Sequence, residues 1–306
     1  MRVSVYAICR NEKKFVKRFL SSILPELRDG DNVTILDTGS SDGTVEEFEA
    51  FGVKPFSAVV SPWRFDDARN ISLSLVPRDV DVAVCLDLDE VLQPGWREAI
   101  ESSWVEGTTR LRYRYVWNWN EDGSPGVQYW ADKIHLRSGY RWRLPAHEVL
   151  QFVGDGDESQ GWSRDLVVHH HADDSKPRSQ YLGLMKLALD EDPSNDRMQH
   201  YYARELFFYG RFPESAEWFQ KHLDNPKSTW RHERSQSMIY LSRMPGNDVW
   251  KDMWAYRAVA ECPERRDVWF HLGDREKEKG NESLANEFYA RAEALPRDQF
   301  YLSSGR

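Results

Sequence analysis

Three features of the sequence predict an α/β domain with a mostly parallel sheet, followed by an all-α domain. Strands and helices alternate from the first residues, the character of the chain changes after residue 104, and helical periodicity runs from residue 178 onward. The first domain is expected over residues 1–175 and the second over 176–306, and 306 residues suffice for both.

Val3 to Cys9 is apolar and β-prone, and the loop Arg10-Asn11-Glu12 follows it. Phe15, Phe19, Leu20, Ile23, Leu24 and Leu27 recur at helical spacing and give one apolar face. Asp29-Gly30-Asp31-Asn32 is turn chemistry. Val33 to Leu36 reads as a second short strand, ending in the loop Asp37 to Thr44. A third unit runs through Val53 and the Ala68–Val76 segment to a buried strand over Val80–Leu86. In such sheets ligands bind at the carboxyl ends of the strands, where Asp37, Asp87 and Asp89 all fall. Asp-x-Asp occurs five times, at Asp29/Asp31, Asp79/Asp81, Asp87/Asp89, Asp155/Asp157 and Asp190/Asp192. Only the third pair follows a long apolar run. Carboxylates so placed suit Mg²⁺ or Mn²⁺, which complete their shells with phosphate and water. The three acids point to a cation-dependent nucleotide site.

Four blocks then agree in order and spacing: Ala7-Ile8-Cys9-Arg10-Asn11-Glu12, the Asp37–Thr44 loop, Asp67-Ala68-Arg69-Asn70 and Asp87-Leu88-Asp89-Glu90. Together they resemble family-2 glycosyltransferases of the GT-A fold, a nucleotide-diphospho-sugar transferase domain with a Rossmann-like sheet. The resemblance covers roughly the first half of the chain. It implies a metal-dependent glycosyltransferase, hexosyl- or pentosyl-, with a nucleotide-sugar donor, usually a UDP-sugar, and Mn²⁺ or Mg²⁺. By that likeness the loop Arg10, Asn11, Glu12 belongs to the donor site, and Asp37 contacts the nucleobase or ribose. Arg69 and Asn70 lie near the nucleotide, Asp87 faces ribose or metal-bound water, and Asp89 binds the metal directly. Read without the likeness, Asp37 is a turn-capping residue among Ser40, Ser41 and Gly43.

After residue 104, Arg110, Arg112 and Arg114 alternate with Leu111, Tyr113 and Tyr115, so one strand face is basic and the other apolar. Trp117-Asn118-Trp119-Asn120 and a turn at 121–126 follow, then a returning strand over Val127–Leu136 with Asp132, Lys133 and His135. The acceptor half of a transferase site is expected here. Aromatic rings stack on sugars or bases, and arginines neutralise phosphate or fix a carboxylate; the alternative is a hairpin with a polar outer face. His147-Glu148 resembles the His-Glu element that relatives carry after this hairpin. Inverting transfer needs a carboxylate to take the acceptor proton; Glu148 is the first candidate and Asp132 the second. The bland reading of Glu148 is a salt bridge to Arg141 or Arg143.

Asp165 to His171 is a short apolar strand ending in three histidines. Relatives often place a histidine here on the nucleotide-bound cation, and the likeness points to His170 and His171. Strand alternation puts His169 and His171 on one face and His170 on the other.

From residue 178 the pattern is helical. Pro193, Pro226, Pro263 and Pro296 recur 33 to 37 residues apart, with Gly210, Gly246 and Gly280 between them. That is the period of tetratricopeptide repeats, with the unit around Trp250, Trp254 and Tyr256 degenerate. Such helices either guide a macromolecular acceptor, brace the catalytic domain or make a dimer. The thirteen tryptophans are expected mostly in helices.

A net charge of −9 opposes broad non-specific binding to nucleic acid, although the arginines between 110 and 143 form a local cluster. No apolar run approaches the ~18 residues of a membrane span, and the chain enters a strand at once, so no membrane or secretory segment is expected. Cys9, Cys85 and Cys262 show neither metal nor disulfide spacing, which suits a reducing cytoplasm. Two acceptor classes fit: a protein or peptide along the helices, or a hydroxylated base in DNA, such as a hydroxymethylpyrimidine, at the aromatic hairpin. A small sugar or lipid is the third. The competing class is a non-catalytic repeat scaffold on an inactive transferase fold, which the intact Asp87/Asp89 pair opposes.

Overall fold

The computed structural model describes residues 1–173 and 179–296, and the chain divides into two compact units, Met1–Lys176 and Pro177–Arg306. The boundary expected at residues 175 and 176 lies outside the described residues.

The first unit begins with β1 (Val3–Cys9), α1 (Lys13–Ile23), β2 (Asn32–Asp37), α2 (Thr44–Ala50), β3 (Phe56–Ser57), α3 (Phe65–Leu75) and β4 (Val82–Cys85). It continues with β5 (Glu90–Leu92), α4 (Trp96–Ser103), β6 (Arg110–Val116), β7 (Gln128–Leu136), β8 (Tyr140–Arg143), β9 (Val149–Phe152) and β10 (Gln160–His170). Eight strands form one sheet in the order β3-β2-β1-β4-β7-β6-β10-β5, and β8 and β9 form a separate two-stranded ribbon. The sheet is mixed: β1–β2, β1–β4, β2–β3 and β6–β10 pair parallel, whereas β4–β7, β6–β7 and β5–β10 pair antiparallel. The cause is connectivity, since β6 and β7 are joined by a hairpin and hairpin neighbours run in opposite directions. β4 is shorter than the apolar run Val80–Leu86, although the Leu86 N–H still donates to the Tyr6 carbonyl at 3.1 Å.

Alternation sorts the sheet into two faces. On one, Val3, Val5, Val84, Leu111, Tyr113 and Ile134 pack with Phe15, Phe19, Trp96 and Ile100 of α1 and α4. On the other, Tyr6, Ala83 and Cys85 pack with Leu73 of α3 and with Tyr140, Trp142 and Leu150 of the ribbon. This second face carries most of the charged chemistry.

The helical unit comprises α5 (Ser179–Glu191), α6 (Asp196–Phe208), α7 (Phe212–Asp224), α8 (Arg231–Arg243), α9 (Asp248–Glu261), α10 (Arg266–Glu278) and α11 (Glu282–Ala294). Successive pairs α6–α7, α8–α9 and α10–α11 begin 35 residues apart, at Asp196, Arg231 and Arg266. Asn195 and Asn247 cap α6 and α9, accepting from the Met198 and Trp250 N–H groups at 3.0 and 2.9 Å. Gly210 and Gly280 turn the first and third pairs at φ 71° and 82°, a conformation that glycine adopts without a Cβ clash. Gly246, in the middle connection, is not left-handed. The core centres on Phe219 stacked on Tyr240 at 5.3 Å, with Met238, Leu241, Trp254 and Val268 around them.

Only five tryptophans lie in helices, at 96, 218, 250, 254 and 269. The expected helical majority is wrong, because Trp117, Trp119, Trp130, Trp142 and Trp162 gather on the strands and loops of the first unit. All three cysteines are buried free thiols. Among the described residues, no helix is long and apolar enough to cross a membrane.

Candidate active site

The loops at the carboxyl ends of β1, β2 and β4 supply the acids. Asp37 ends β2, where it is buried; its carboxylate accepts from the Gly39 N–H at 3.0 Å, from the Ser40 N–H at 3.1 Å and from the Cys9 thiol at 3.6 Å. These are the contacts of a turn-capping aspartate. Asn11, at φ 55°, ties the first loop to the second, accepting from the Ser41 N–H at 2.8 Å and donating its own N–H to Ser40 Oγ at 2.9 Å. Glu12 is buried and starts α1, its N–H donating to Thr44 Oγ1 at 2.8 Å. Arg10 is exposed at the same edge.

Asp87 sits at the centre of a partly buried ion network. Its Oδ1 accepts from Arg69 Nη2 at 2.7 Å and its Oδ2 from Lys133 Nζ at 3.0 Å. Burial opposes the charge, but Arg69 and then Lys133 overcome it and hold the carboxyl well below the usual carboxylate range. Both oxygens therefore already serve cations, which leaves Asp87 less suited than Asp89 to bind a metal directly. Lys133 also reaches Glu90 Oε1 at 3.0 Å, and Tyr115 donates to the same oxygen at 2.7 Å. Burial raises the Glu90 carboxyl, with Lys133 acting against it.

Arg69 links this network to the ribbon. Only 4% exposed, it donates from Nε to Glu148 Oε1 at 2.6 Å and from Nη1 to Cys85 Sγ at 3.3 Å, with its guanidinium 5.1 Å from the Trp142 ring centroid. Neither Arg141 nor Arg143 is the ionic partner of Glu148; Arg69 is. Asn70 is engaged within the protein. Its amide clamps the Trp142 backbone, donating to the carbonyl and accepting from the N–H, both at 2.9 Å. Glu148 follows a strained connection in which Leu144 and His147 hold φ values of 79° and 49°.

Asp89 and His170 meet where β5 starts beside β10, with Nε2 of His170 3.5 Å from Asp89 Oδ2. Nδ1 of His170 donates to the Trp117 carbonyl at 3.0 Å, and the ring stacks on Trp117 at 4.6 Å. That hydrogen bond leaves Nε2 as the ring nitrogen that could bind a metal. Burial would lower the imidazole pKa, but Asp89 and the Trp117 carbonyl raise it. His169 and His171 both pack on Trp119, so His171 is not aimed with His170. An oxygen and an imidazole nitrogen fit Mn²⁺ well and Mg²⁺ adequately. Among the described residues there is no group of three His, Cys, Asp or Glu side chains that could hold a metal, so phosphate and water would complete the shell.

Asp132 and Lys133 lie together opposite Arg112, where the β6–β7 register shifts between Leu111 and Tyr113. Asp132 Oδ2 accepts from Arg110 at 2.9 Å and lies 3.4 Å from Arg112. Arg110 is buried, pairs with Glu158 at 2.9 Å and lies over Tyr140, so it belongs to the ribbon's packing. Arg112 and Arg114 share its face and lie over Trp162 and Trp130, rings that meet edge to face at 5.0 Å. Sequence reasoning missed Lys133 and Glu90 as members of the site, and it did not foresee that Arg69 and Asn70 would join α3 to Asp87, Glu148 and the ribbon.

Residues 4–138 match the model of glycosyl transferase family 2, so the resemblance seen in the sequence holds over that segment. Solved structures of glucosyl-3-phosphoglycerate synthase from Mycobacterium tuberculosis are similar in sequence at 26% identity. One, with Mn²⁺ and UDP-glucose, is covered over 43% of its length by 37% of this chain, with a TM-score of 0.33. Another, with Mg²⁺ and UDP, gives the same values. This chain thus spans less than half the length of the solved structures it matches. No curated protein matches it.

Proposed function

We propose that this chain is a metal-dependent, inverting glycosyltransferase that moves a sugar from a nucleotide-sugar, a UDP-sugar first, to a hydroxyl of a macromolecular acceptor. The observation that carries this reading is one charged network joining two half-sites. Asp89 and His170 converge as an oxygen–nitrogen donor pair, and two residues from Asp89 the carboxylate of Asp87 connects through Arg69 to Glu148. Asp89 and His170 would hold Mn²⁺ or Mg²⁺, which when bound neutralises charge on the departing diphosphate. Lys133, a quarter exposed, supplies a resident positive charge beside them. Glu148 takes the acceptor proton as the hydroxyl attacks the anomeric carbon from the face opposite the leaving group. Asp132 is the second candidate, although one of its oxygens already serves two arginines.

The donor nucleotide is assigned to the loops of Arg10, Asn11, Glu12 and Asp37. For the acceptor, Arg112, Arg114, Trp130 and the half-exposed Trp162 lie on the sheet face that also carries Arg69, which supports a ring-stacking, polar acceptor. A polypeptide guided by tetratricopeptide-like helix pairs and a hydroxylated DNA base both suit that chemistry. A DNA acceptor predicts apparent affinity falling steeply with salt, whereas a peptide acceptor does not.

The test is thermal stabilisation by UDP-, GDP-, CMP- and dTDP-sugars, each with Mn²⁺ and with EDTA. A metal-dependent rise with one nucleotide supports the reading and names the base. No rise with any of them returns the weight to a non-catalytic scaffold.

A further inference from the structure

Arg69 meets four groups at once and yet is almost closed to solvent. Nε is on Glu148, Nη2 on Asp87, Nη1 on the Cys85 sulfur, and the indole of Trp142 lies against the guanidinium. A planar fork held on three edges and one face has no freedom to turn. Its neighbour Asn70 fastens α3 to the backbone of β8 through two hydrogen bonds, so helix and ribbon are joined where Arg69 projects. Glu148 has one oxygen on Arg69, and Oε2 has no partner among the described residues. The backbone that delivers it is strained at Leu144 and His147. Strain of this kind persists only where the surroundings over-determine it, and it clusters at functional positions.

We propose that Arg69 is the positioning residue for Glu148: it fixes one carboxylate oxygen so that the other faces the acceptor, and it ties that orientation to Asp87 at the donor end. Arg69 itself touches no substrate. The proposal rests on Glu148 acting as the base, and it replaces a nucleotide-contact role for Arg69 with an orienting one. Because a carboxylate base must meet its proton within hydrogen-bond reach, a loose Glu148 loses rate without losing donor affinity.

The experiment uses the full chain, Mn²⁺ and UDP-glucose, with water as the surrogate acceptor. It follows UDP release against pH and UDP–Mn²⁺ binding by thermal shift, with unfolding curves to confirm folding. Glu148→Gln should lower turnover by about 10²–10⁴-fold. Arg69→Lys, which keeps the charge but loses the fork, should lower it by about 10–100-fold. UDP–Mn²⁺ affinity should stay within about twofold of the parent in both, since neither variant removes a donor contact. Arg69→Gln, which removes the charge as well as the fork, should lower turnover at least as far as Arg69→Lys. The double variant Arg69→Lys/Glu148→Gln should fall no further than Glu148→Gln alone, because positioning a base that is gone has no effect. Multiplicative losses in the double variant, or an Arg69→Lys chain that binds UDP poorly while turning over normally, would overturn the proposal. If Glu148→Gln keeps the parental rate, the base assignment fails first and the proposal with it. If the parent neither binds UDP with Mn²⁺ nor releases it from UDP-glucose, the transferase reading fails.

Discussion

In the first unit Asn11, Leu144 and His147 hold φ values of 55°, 79° and 49° despite their side chains, whereas in the helical unit the positive φ values among the described residues belong to Gly210 and Gly280. One region breaks a local backbone rule at three places, all in loops around the candidate site. The other keeps the rule by choosing glycine. Left-handed backbone at a bulky residue costs about 1–3 kcal/mol, so the first region retains strain that ordinary selection for stability would remove. The charges differ in what they surround, although the helical unit also buries one ion pair, Arg265 with Asp267. Asp87, Glu90, Arg69 and Lys133 form a network around an assembled site, while the helical unit sets Arg275 on its partners Asp248, Asp252 and Glu278 at a surface. Local rules fail where function is concentrated and hold where the work is packing.

The sharpest way to break this contrast is Asp89→Ala. Loss of a metal-binding carboxylate should lower transfer by about a thousandfold or more and remove the Mn²⁺ dependence of UDP binding. The helical unit's unfolding should be unchanged. Parental activity in this variant would end the site assignment.

Acid should blur the contrast, because each unit buries a neutral histidine. Burial pushes His135 down to about 3 in the first unit and His271 down to about 3 in the second. The unfolded imidazole titrates near ~6.5, so the unfolded chain takes up a proton that the folded chain refuses. This stability is full above that pH and is lost on descent towards the folded values, by about 1.4 kcal/mol per pH unit for each histidine. Thermal unfolding followed from pH 7 to pH 5 should therefore fall in both units. A transition that stays level would show that its histidine is not held neutral.

Leu144→Gly sharpens the comparison in the opposite direction. Glycine accepts the φ of 79° without a clash, so the variant should gain about 1 kcal/mol of stability from relieved strain, set against the entropy glycine adds to the unfolded chain. Turnover should fall because the loop delivering Glu148 loosens. A variant that is both more stable and fully active would make the strain incidental. The smallest effect is expected for Gly210→Ala, which should cost about 1 kcal/mol or somewhat more in the helical unit and leave UDP binding untouched.

Much of the arrangement was legible in the sequence, for identifiable reasons. The acids at the ends of β2 and β4 follow apolar runs that only a buried strand explains, and alternation alone separated His170 from its two neighbours. The 35-residue helix pairs follow from the recurring prolines and glycines. Contacts between distant segments were not legible. Arg69 and Glu148 lie 79 residues apart, and nothing near either one names the other. Lys133 was named on its strand but not joined to Asp87 and Glu90, because period-2 alternation assigns it and Asp132 to opposite faces. The bulge opposite Arg112 suspends that rule, and a bulge without a glycine leaves little trace in sequence. The parallel sheet was over-extended for a similar reason, since the hairpin after β6 reverses β7 and β5 returns antiparallel to β10.

Trp142 answers to three neighbours with three different parts of itself: its backbone to Asn70, its indole face to Arg69, and its ring N–H to Tyr6 Oη at 2.9 Å. The two positions of the clamp should therefore tolerate change unequally. At 142, phenylalanine preserves the backbone bonds and a ring face, so replacement there should degrade in steps. At 70, asparagine alone offers a donor and an acceptor in one planar group at that reach, and a library randomised at both sites should recover variety at 142 and almost none at 70.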